Sequence, residues 1–155
     1  MQDAEREMRR RVRALIAETG RERTRLLPVL RRVQEEFRHV PAAAAEVIEE
    51  EMLVPVADTY GLVTFYDLLT ERPVGREVLR ICEDAACNLH GAEQLAAEAR
   101  RRIGPEDEPA QDGRISWTRC ACLGLCERAP AALFREEPLA PLTRAAVERI
   151  GGGHA

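Results

Sequence analysis

Five cysteines stand in a chain of 155 residues, and four of them fall into two short turns. Cys82 and Cys87 are separated by Glu83-Asp84-Ala85-Ala86, and Cys122 and Cys126 by Leu123-Gly124-Leu125. Four thiolates brought together repel one another and cannot stay ionised without a cation. The pattern therefore points to a metal centre that becomes part of the folding free energy. Two chemistries use four thiolates at such spacings. Structural zinc sites place roughly two to four residues between paired ligands, and [2Fe–2S] clusters commonly have one longer loop. Spacing alone leaves both open. A thiol–disulfide oxidoreductase is disfavoured, because no Cys-x-x-Cys occurs. A Rieske-type centre requires two histidine ligands. His90 lies shortly beyond Cys87, but His39 and His154 have no cysteine partner, and all three read as surface or packing residues. Cys120 is the fifth thiol. Used in place of Cys122 it would leave a longer gap to Cys126, so it reads as a buried free thiol or a group beside the ligands.

The elements that must position these thiols are legible in outline. Residues 1–71 read as a helical bundle. Met8, Val12, Leu15 and Ile16 recur at helical spacing, with Arg9, Arg10, Arg11 and Arg13 around the other sides. That basic surface reads as a solvated face, with a docking surface for a partner as the sharper possibility. A second helix is expected from Thr24, as N-cap, to Phe37, and a third from Pro41 to Met52. A short fourth is expected from Val56 to Tyr60, ending at Gly61. Glu71-Arg72-Pro73-Val74-Gly75 marks a turn or linker. Residues 72–150 then read as a compact α/β layer. Its strands are expected over Glu77–Cys82, Arg114–Thr118 and Ala131–Arg135. Its helices are expected over Gly91–Ile103, with Ala92, Leu95, Ala96 and Ala99 inward, and from a Thr143 cap to Ile150. Residues 151–155 read as a flexible tail.

Composition narrows the function classes. With 45% hydrophobic and 32% charged residues the chain is an ordinary globular one, and no apolar run approaches the roughly 18 residues of a membrane span. Residues 1–13 lack the apolar core of a signal peptide and carry Asp3, Glu5 and Glu7, which a transit peptide would avoid. The expected location is cytoplasmic, at most on the cytoplasmic face of a membrane as part of a larger assembly. In that reducing compartment the cysteines are expected as metal ligands or catalytic thiols rather than disulfides. All 23 basic residues are arginine, which reflects a GC-rich genome more simply than a mechanism. The net charge of −4 is uneven: residues 1–40 hold eleven arginines against seven acids, and residues 41–155 hold twelve against twenty. The acidic bulk argues against a nucleic-acid partner.

At the cysteines and their flanks the sequence resembles the small [2Fe–2S] subunit of NADH-dehydrogenase modules, the 24 kDa subunit of respiratory complex I. The same family serves NAD-linked soluble formate dehydrogenases and NAD-coupled hydrogenases. The resemblance covers about residues 24–150 and is carried by several motifs. These are Leu26-Leu27-Pro28-Val29-Leu30 with Val33-Gln34-Glu35, Tyr60-Gly61-Leu62-Val63-Thr64-Phe65-Tyr66 and Pro73-Val74-Gly75-Arg76. Ile81-Cys82 through Cys87 follows, with Gly91-Ala92-Glu93, Asp112-Gly113, and Cys122 through Cys126 with Ala129-Pro130. The resemblance implies one [2Fe–2S] cluster per chain, held by Cys82, Cys87, Cys122 and Cys126. It also implies an α+β fold: an N-terminal helical bundle followed by a thioredoxin-like [2Fe–2S] ferredoxin domain. By the same resemblance the chain is an electron carrier with no catalytic residue of its own. It would exchange single electrons with the FMN of a partner subunit that binds NAD(H), and sit beside a further iron–sulfur subunit. The absence of a Gly-rich dinucleotide fingerprint agrees with that division of labour. Thr64, Phe65 and Tyr66 are candidate docking residues, although the aromatic pair equally suits packing between the two halves. The sequence departs from the family in three places. Arg38-His39-Val40-Pro41 replaces a Gly-Tyr pair before proline, and Met52-Leu53-Val54 lacks the glycine that often follows the third helix. Arg135-Glu136-Glu137-Pro138 replaces an Asn-Asp or Gly-containing turn.

Overall fold

The computed structural model describes residues 2–152. The chain forms two compact units, residues 1–73 and 74–155. The expected tail falls partly on Gly151, the last residue of the final helix, and on Gly152; residues 153–155, including His154, lie outside the described residues.

The first unit is all-helical: α1 (Gln2–Thr19), α2 (Leu26–Phe37), α3 (Ala42–Met52) and α4 (Val56–Phe65). The apolar stripe of α1, Val12, Leu15 and Ile16, is buried with Leu26, Val29, Leu30 and Val33 of α2 and Val47 and Ile48 of α3. The arginines of α1 are not a free basic face. Arg9 pairs with Glu46 at 2.6 Å and Glu50 at 2.8 Å, and Arg13 with Glu50 at 2.8 Å and Glu51 at 3.1 Å, all on α3. On the α2 side Arg11 meets Glu36, and Glu18 meets Arg32 at 2.7 Å. Each pair is exposed and individually weak. Together they set which helix faces which.

Helix ends differ from expectation in two places. Thr24 does not cap α2. A single 3₁₀ turn, Arg23–Arg25, leads into it, and Arg25, at the N-cap position, makes no side-chain cap bond. Pro28 then falls in the first turn, where an amide hydrogen has no helical partner to lose. The fourth helix runs through Gly61 to Phe65. A glycine inside a helix costs about 1 kcal/mol, but burial of Val63 in the core offsets it. The departures from glycine noted in the sequence fall at the helix C-termini. Arg38 (φ 64°) and Leu53 (φ 56°) take the left-handed conformation after α2 and α3, their amides donating to Gln34 and Glu49. For a residue with a Cβ that conformation costs roughly 1–2 kcal/mol.

The second unit is a four-stranded sheet, β1 (Glu77–Cys82), β2 (Ile115–Cys120), β3 (Ala132–Phe134) and β4 (Glu137–Leu139), in the order β2-β1-β3-β4. With it go α5 (Ala85–Leu89), α6 (Ala92–Arg102) and α7 (Arg144–Gly151). β1 and β2 are parallel, in register from Glu77 opposite Ile115 to Cys82 opposite Cys120, while β3 and β4 add antiparallel. A parallel pair needs a crossover, here α5 and α6. The inward residues expected on α6, Ala92, Leu95, Ala96 and Ala99, pack with Leu79, Ile81 and the fully buried Trp117. Thr143 caps α7 as expected, its hydroxyl accepting from the Ala146 amide at 3.2 Å. Gly75 is required sterically: a Cβ there would lie 2.4 Å from the Ile115 carbonyl carbon and 2.6 Å from the Ser116 nitrogen.

Three features of this unit go beyond the sequence expectation. β2 runs on to Cys120, α5 begins after Cys82, includes Cys87 and ends before His90, and Glu137–Leu139 is a strand. Arg135 (φ 53°) and Glu136 (φ 64°) make a two-residue hairpin turn with both φ values positive. Pro138 is tolerated because β4 lies at the sheet edge.

Leu53 is 86% exposed, so removing its side chain forfeits almost no packing while relieving the left-handed strain. Leu53→Gly should raise unfolding stability by about 0.5–1 kcal/mol in denaturant titration. A loss of stability would show that the helix end is not strained.

Candidate metal centre

The parallel pairing of β1 with β2 decides where the thiols meet. Both strands end at the same edge, and their cross-strand pair is Cys82 with Cys120. The chain leaving β1 stays tied to β2, since the Glu83 amide donates to the Cys120 carbonyl at 3.1 Å. Asp84 then caps α5, its carboxylate accepting from the Ala85 amide at 2.7 Å, and Asn88 Nδ2 donates to the Glu83 carbonyl at 2.6 Å. This short helix turns Cys87 back toward Cys82. Beyond β2, Cys122 lies in an irregular turn and Cys126 opens a 3₁₀ turn, Cys126–Arg128.

The four thiols form two pairs. Cys122 Sγ and Cys126 Sγ are 3.5 Å apart, and Cys82 hydrogen-bonds Cys87. The pairs also feel each other: Cys126 interacts electrostatically with both Cys87 and Cys82. All five cysteines are free thiols. Among the described residues no three His, Cys, Asp or Glu side chains converge as a ready-made single-ion site; the thiols are arranged two by two. Burial is asymmetric. Cys82 and Cys87 are 1% and 2% exposed, whereas Cys122 and Cys126 are open to solvent.

The electrostatics fit a cationic guest. Burial pushes the Cys87 thiol above its ordinary range, with the Cys82 side chain adding to the shift, while the Ala131 amide donating to its sulfur acts in the opposite sense. Cys126 is raised by its hydrogen bond with Cys122, which holds the Cys126 proton in place, by negative charge on the Cys122 sulfur, by burial, and by Asp84 and Cys82. Without a cation these sulfurs keep their protons; iron would displace them. A [2Fe–2S] cluster uses two pairs of thiolates with amide donors around them, and the Ala131 amide at Cys87 is one such donor.

The other sequence candidates sort cleanly. His90 Nδ1 donates to the Ala86 carbonyl at 2.8 Å and His39 Nδ1 to the Phe37 carbonyl at 2.8 Å, so both rings have structural partners. Cys120 is buried within the strand ladder. Thr64 bonds back to the carbonyls of Tyr60 and Gly61, and Phe65 meets Tyr66 edge to face at 5.1 Å, with Phe65 75% exposed. Sequence reasoning missed the Ala131 amide, whose role depends on a fold that brings it to Cys87. It also missed α5, although Asp84 before Ala85-Ala86 carries a capping signal.

Two outcomes follow. Cys122→Ser should abolish the visible absorbance of the iron-loaded protein, and Cys120→Ser should keep it; the opposite pattern would exchange their roles. In the metal-free protein, raised folded-state thiol pKa values mean that the folded chain binds more protons than the unfolded one above about pH 8.5. Stability is therefore full below that point and falls as pH rises through it. Denaturant midpoints of metal-free protein should drop between about pH 7 and about pH 10, and a flat profile would contradict the pairing.

Comparisons with known proteins place the chain in a family. The model of the thioredoxin-like [2Fe-2S] ferredoxin family matches residues 12–151. A subunit of the NADH-quinone oxidoreductase of Escherichia coli is 32% identical over 126 residues, covering 80% of this chain and 75% of its own. Its Pseudomonas aeruginosa counterpart is 31% identical over 112 residues, covering 72% and 68%. The NADP-reducing hydrogenase subunit HndA of Solidesulfovibrio fructosivorans is 29% identical over 126 residues, covering 81% and 74%. Among solved structures, the air-oxidized NAD+-reducing [NiFe]-hydrogenase superposes with a TM-score of 0.66 at 20% identity. The match covers 82% of this chain and 22% of that one, and it speaks for the fold alone. The family match spans both units and both cysteine pairs, and the chain belongs to the thioredoxin-like [2Fe-2S] ferredoxin family.

Proposed function

We propose that the chain is the [2Fe–2S] electron-carrying subunit of an NADH:acceptor oxidoreductase of the NADH:quinone type. In this reading it exchanges single electrons with the FMN of an NADH-binding partner, in an assembly that includes a further iron–sulfur subunit. The observation that carries it is the meeting of two thiol pairs at one end of a sheet in a chain of this family. Cys82, Cys87, Cys122 and Cys126 would hold the cluster, which when bound takes up and releases one electron at a time. The chain's own residues supply the rest. Buried Cys82 and Cys87 keep water from one side, and the Ala131 amide stabilises negative charge on Cys87. Exposed Cys122 and Cys126 leave an approach for a redox partner.

Names among the relatives support membership of a multi-subunit assembly, and they favour two parents. The NADH-quinone oxidoreductase relatives point to a quinone-linked complex, with the chain at the cytoplasmic face of a membrane; the HndA relative points to a hydrogenase. Among the described residues no helix is long and apolar enough to cross a membrane.

Anaerobically purified protein should be red-brown, with two irons and two acid-labile sulfides per chain. Mixed with a flavoprotein partner, it should bleach on addition of NADH. Colourless protein holding a single zinc after iron reconstitution would overturn the reading in favour of a structural zinc module. A loaded cluster that NADH and flavoprotein leave oxidised would overturn the electron-transfer role alone.

A further inference from the structure

The Arg119 side chain gathers charged partners from well-separated parts of the second unit. Its guanidinium meets three carboxylates from three separate segments. Nη1 donates to Glu106 Oε2 at 2.8 Å, Nη2 to both oxygens of Glu93 at 3.0 and 3.1 Å, and Nε lies 3.7 Å from Glu83 Oε2. The Arg119 amide adds a bond to Glu106 Oε1 at 3.2 Å, and the guanidinium sits 6.0 Å from the centre of the Trp117 ring. Arg100 also reaches Glu106, at 3.9 Å. The Arg119 side chain is only 27% exposed.

The positions of these partners matter more than their number. Glu83 lies between Cys82 and Cys87 and directly precedes the α5 cap, Asp84. Glu93 lies in the first turn of α6, just beyond α5. Arg119 therefore holds the chain on both sides of α5, a helix of five residues that carries Cys87. So short a helix has no stability of its own, because nucleation costs more than one turn returns. Its placement must come from its ends. Arg119 itself is on β2, the strand that delivers the second cysteine turn. One guanidinium thus links the two segments that carry the thiols. Lysine offers a point charge and no planar fork, and would hold fewer of these carboxylates at once.

We propose that Arg119 is a positioning residue for the metal centre: by tying Glu83, Glu93 and Glu106 to β2, it holds Cys82 and Cys87 at the spacing a cluster requires. The proposal rests on the reading of the four cysteines as cluster ligands. Without Arg119, the three carboxylates would also repel one another beside a centre that becomes more negative on reduction.

The test uses full-length, cluster-loaded protein and follows loss of visible absorbance into an iron chelator. Arg119→Met keeps the aliphatic stem against Trp117 and removes the fork. It should lose its cluster about fivefold faster than wild type, the scale of one screened ion pair. Glu83→Gln, a change at an exposed side chain that leaves the fold intact, should accelerate loss in the same direction, and Arg119→Lys should fall between wild type and methionine. Added salt should speed loss from wild type and leave Arg119→Met unchanged. Any lowering of the melting temperature of the metal-free variants should be too small to account for the faster loss of the cluster. Wild-type loss rates in both Arg119→Met and Glu83→Gln would overturn the proposal, as would full rescue by lysine or acceleration that merely tracks lower stability of the metal-free protein. Wild-type protein that binds no iron would overturn the cluster reading itself.

Discussion

The pairing of β1 with β2 is the constraint on which the rest of the second unit depends. Parallel strands place their carboxyl ends together, so the segments following β1 and β2 emerge side by side. With Cys82 opposite Cys120, one residue of slip would carry Cys82 to the other face of the sheet and separate the pairs. Trp117 and Ile115 of β2 and Leu79 and Ile81 of β1 resist that slip by filling the core under α6 and α7. Hydrophobic packing therefore sets the register, and the register sets the spacing of the thiols. The crossover that parallel pairing demands then supplies α5, the helix that returns Cys87 to the site.

Ionising the site is unfavourable for its own protein in the absence of metal. Bringing four acidic thiols together, two of them in a buried setting, raises the proton affinity of Cys87 and Cys126. Polar contacts that stabilise the thiols one by one, such as the Ala131 amide at Cys87, only partly offset this. The chain compensates through the frame around the site: the Asp84 cap, the Asn88 bond to Glu83, and the carboxylates gathered by Arg119. This is the behaviour expected where ligand binding and folding share one free energy. The same frame leaves Cys122 and Cys126 at the surface while Cys82 and Cys87 are shielded from water.

The first unit solves a different problem with the same residue types. Arginine serves for every basic function in the chain, and in the bundle it is engaged along α1 by acids of α2 and α3. Net charge is thereby absorbed inside the unit, and the patterned pairs favour one arrangement of helices over its alternatives. Arg38 and Leu53 stand in left-handed positions where glycine would be easier. The bundle tolerates both because its core of Val, Leu and Ile is continuous from α1 to α4.

What the sequence determined by itself was the chemistry and most of the elements. Residue types are local facts: the two cysteine turns, the helical stripes of α1 and α6 and the Thr143 cap can each be read without knowing what they face. The ends of elements were less legible. Gly61 and Arg135–Glu136 carry ordinary local signals, yet burial of Val63 carried α4 past Gly61, and the pairing of β4 with β3 made a hairpin turn of Arg135–Glu136. Only the tertiary structure decided which thiol neighbours which, which pair is buried, and that Cys120 belongs to a strand. It alone made the Ala131 amide and Arg119 part of the site. These depend on strand register and on contacts between residues far apart in the chain, and local spacing carries no information about either.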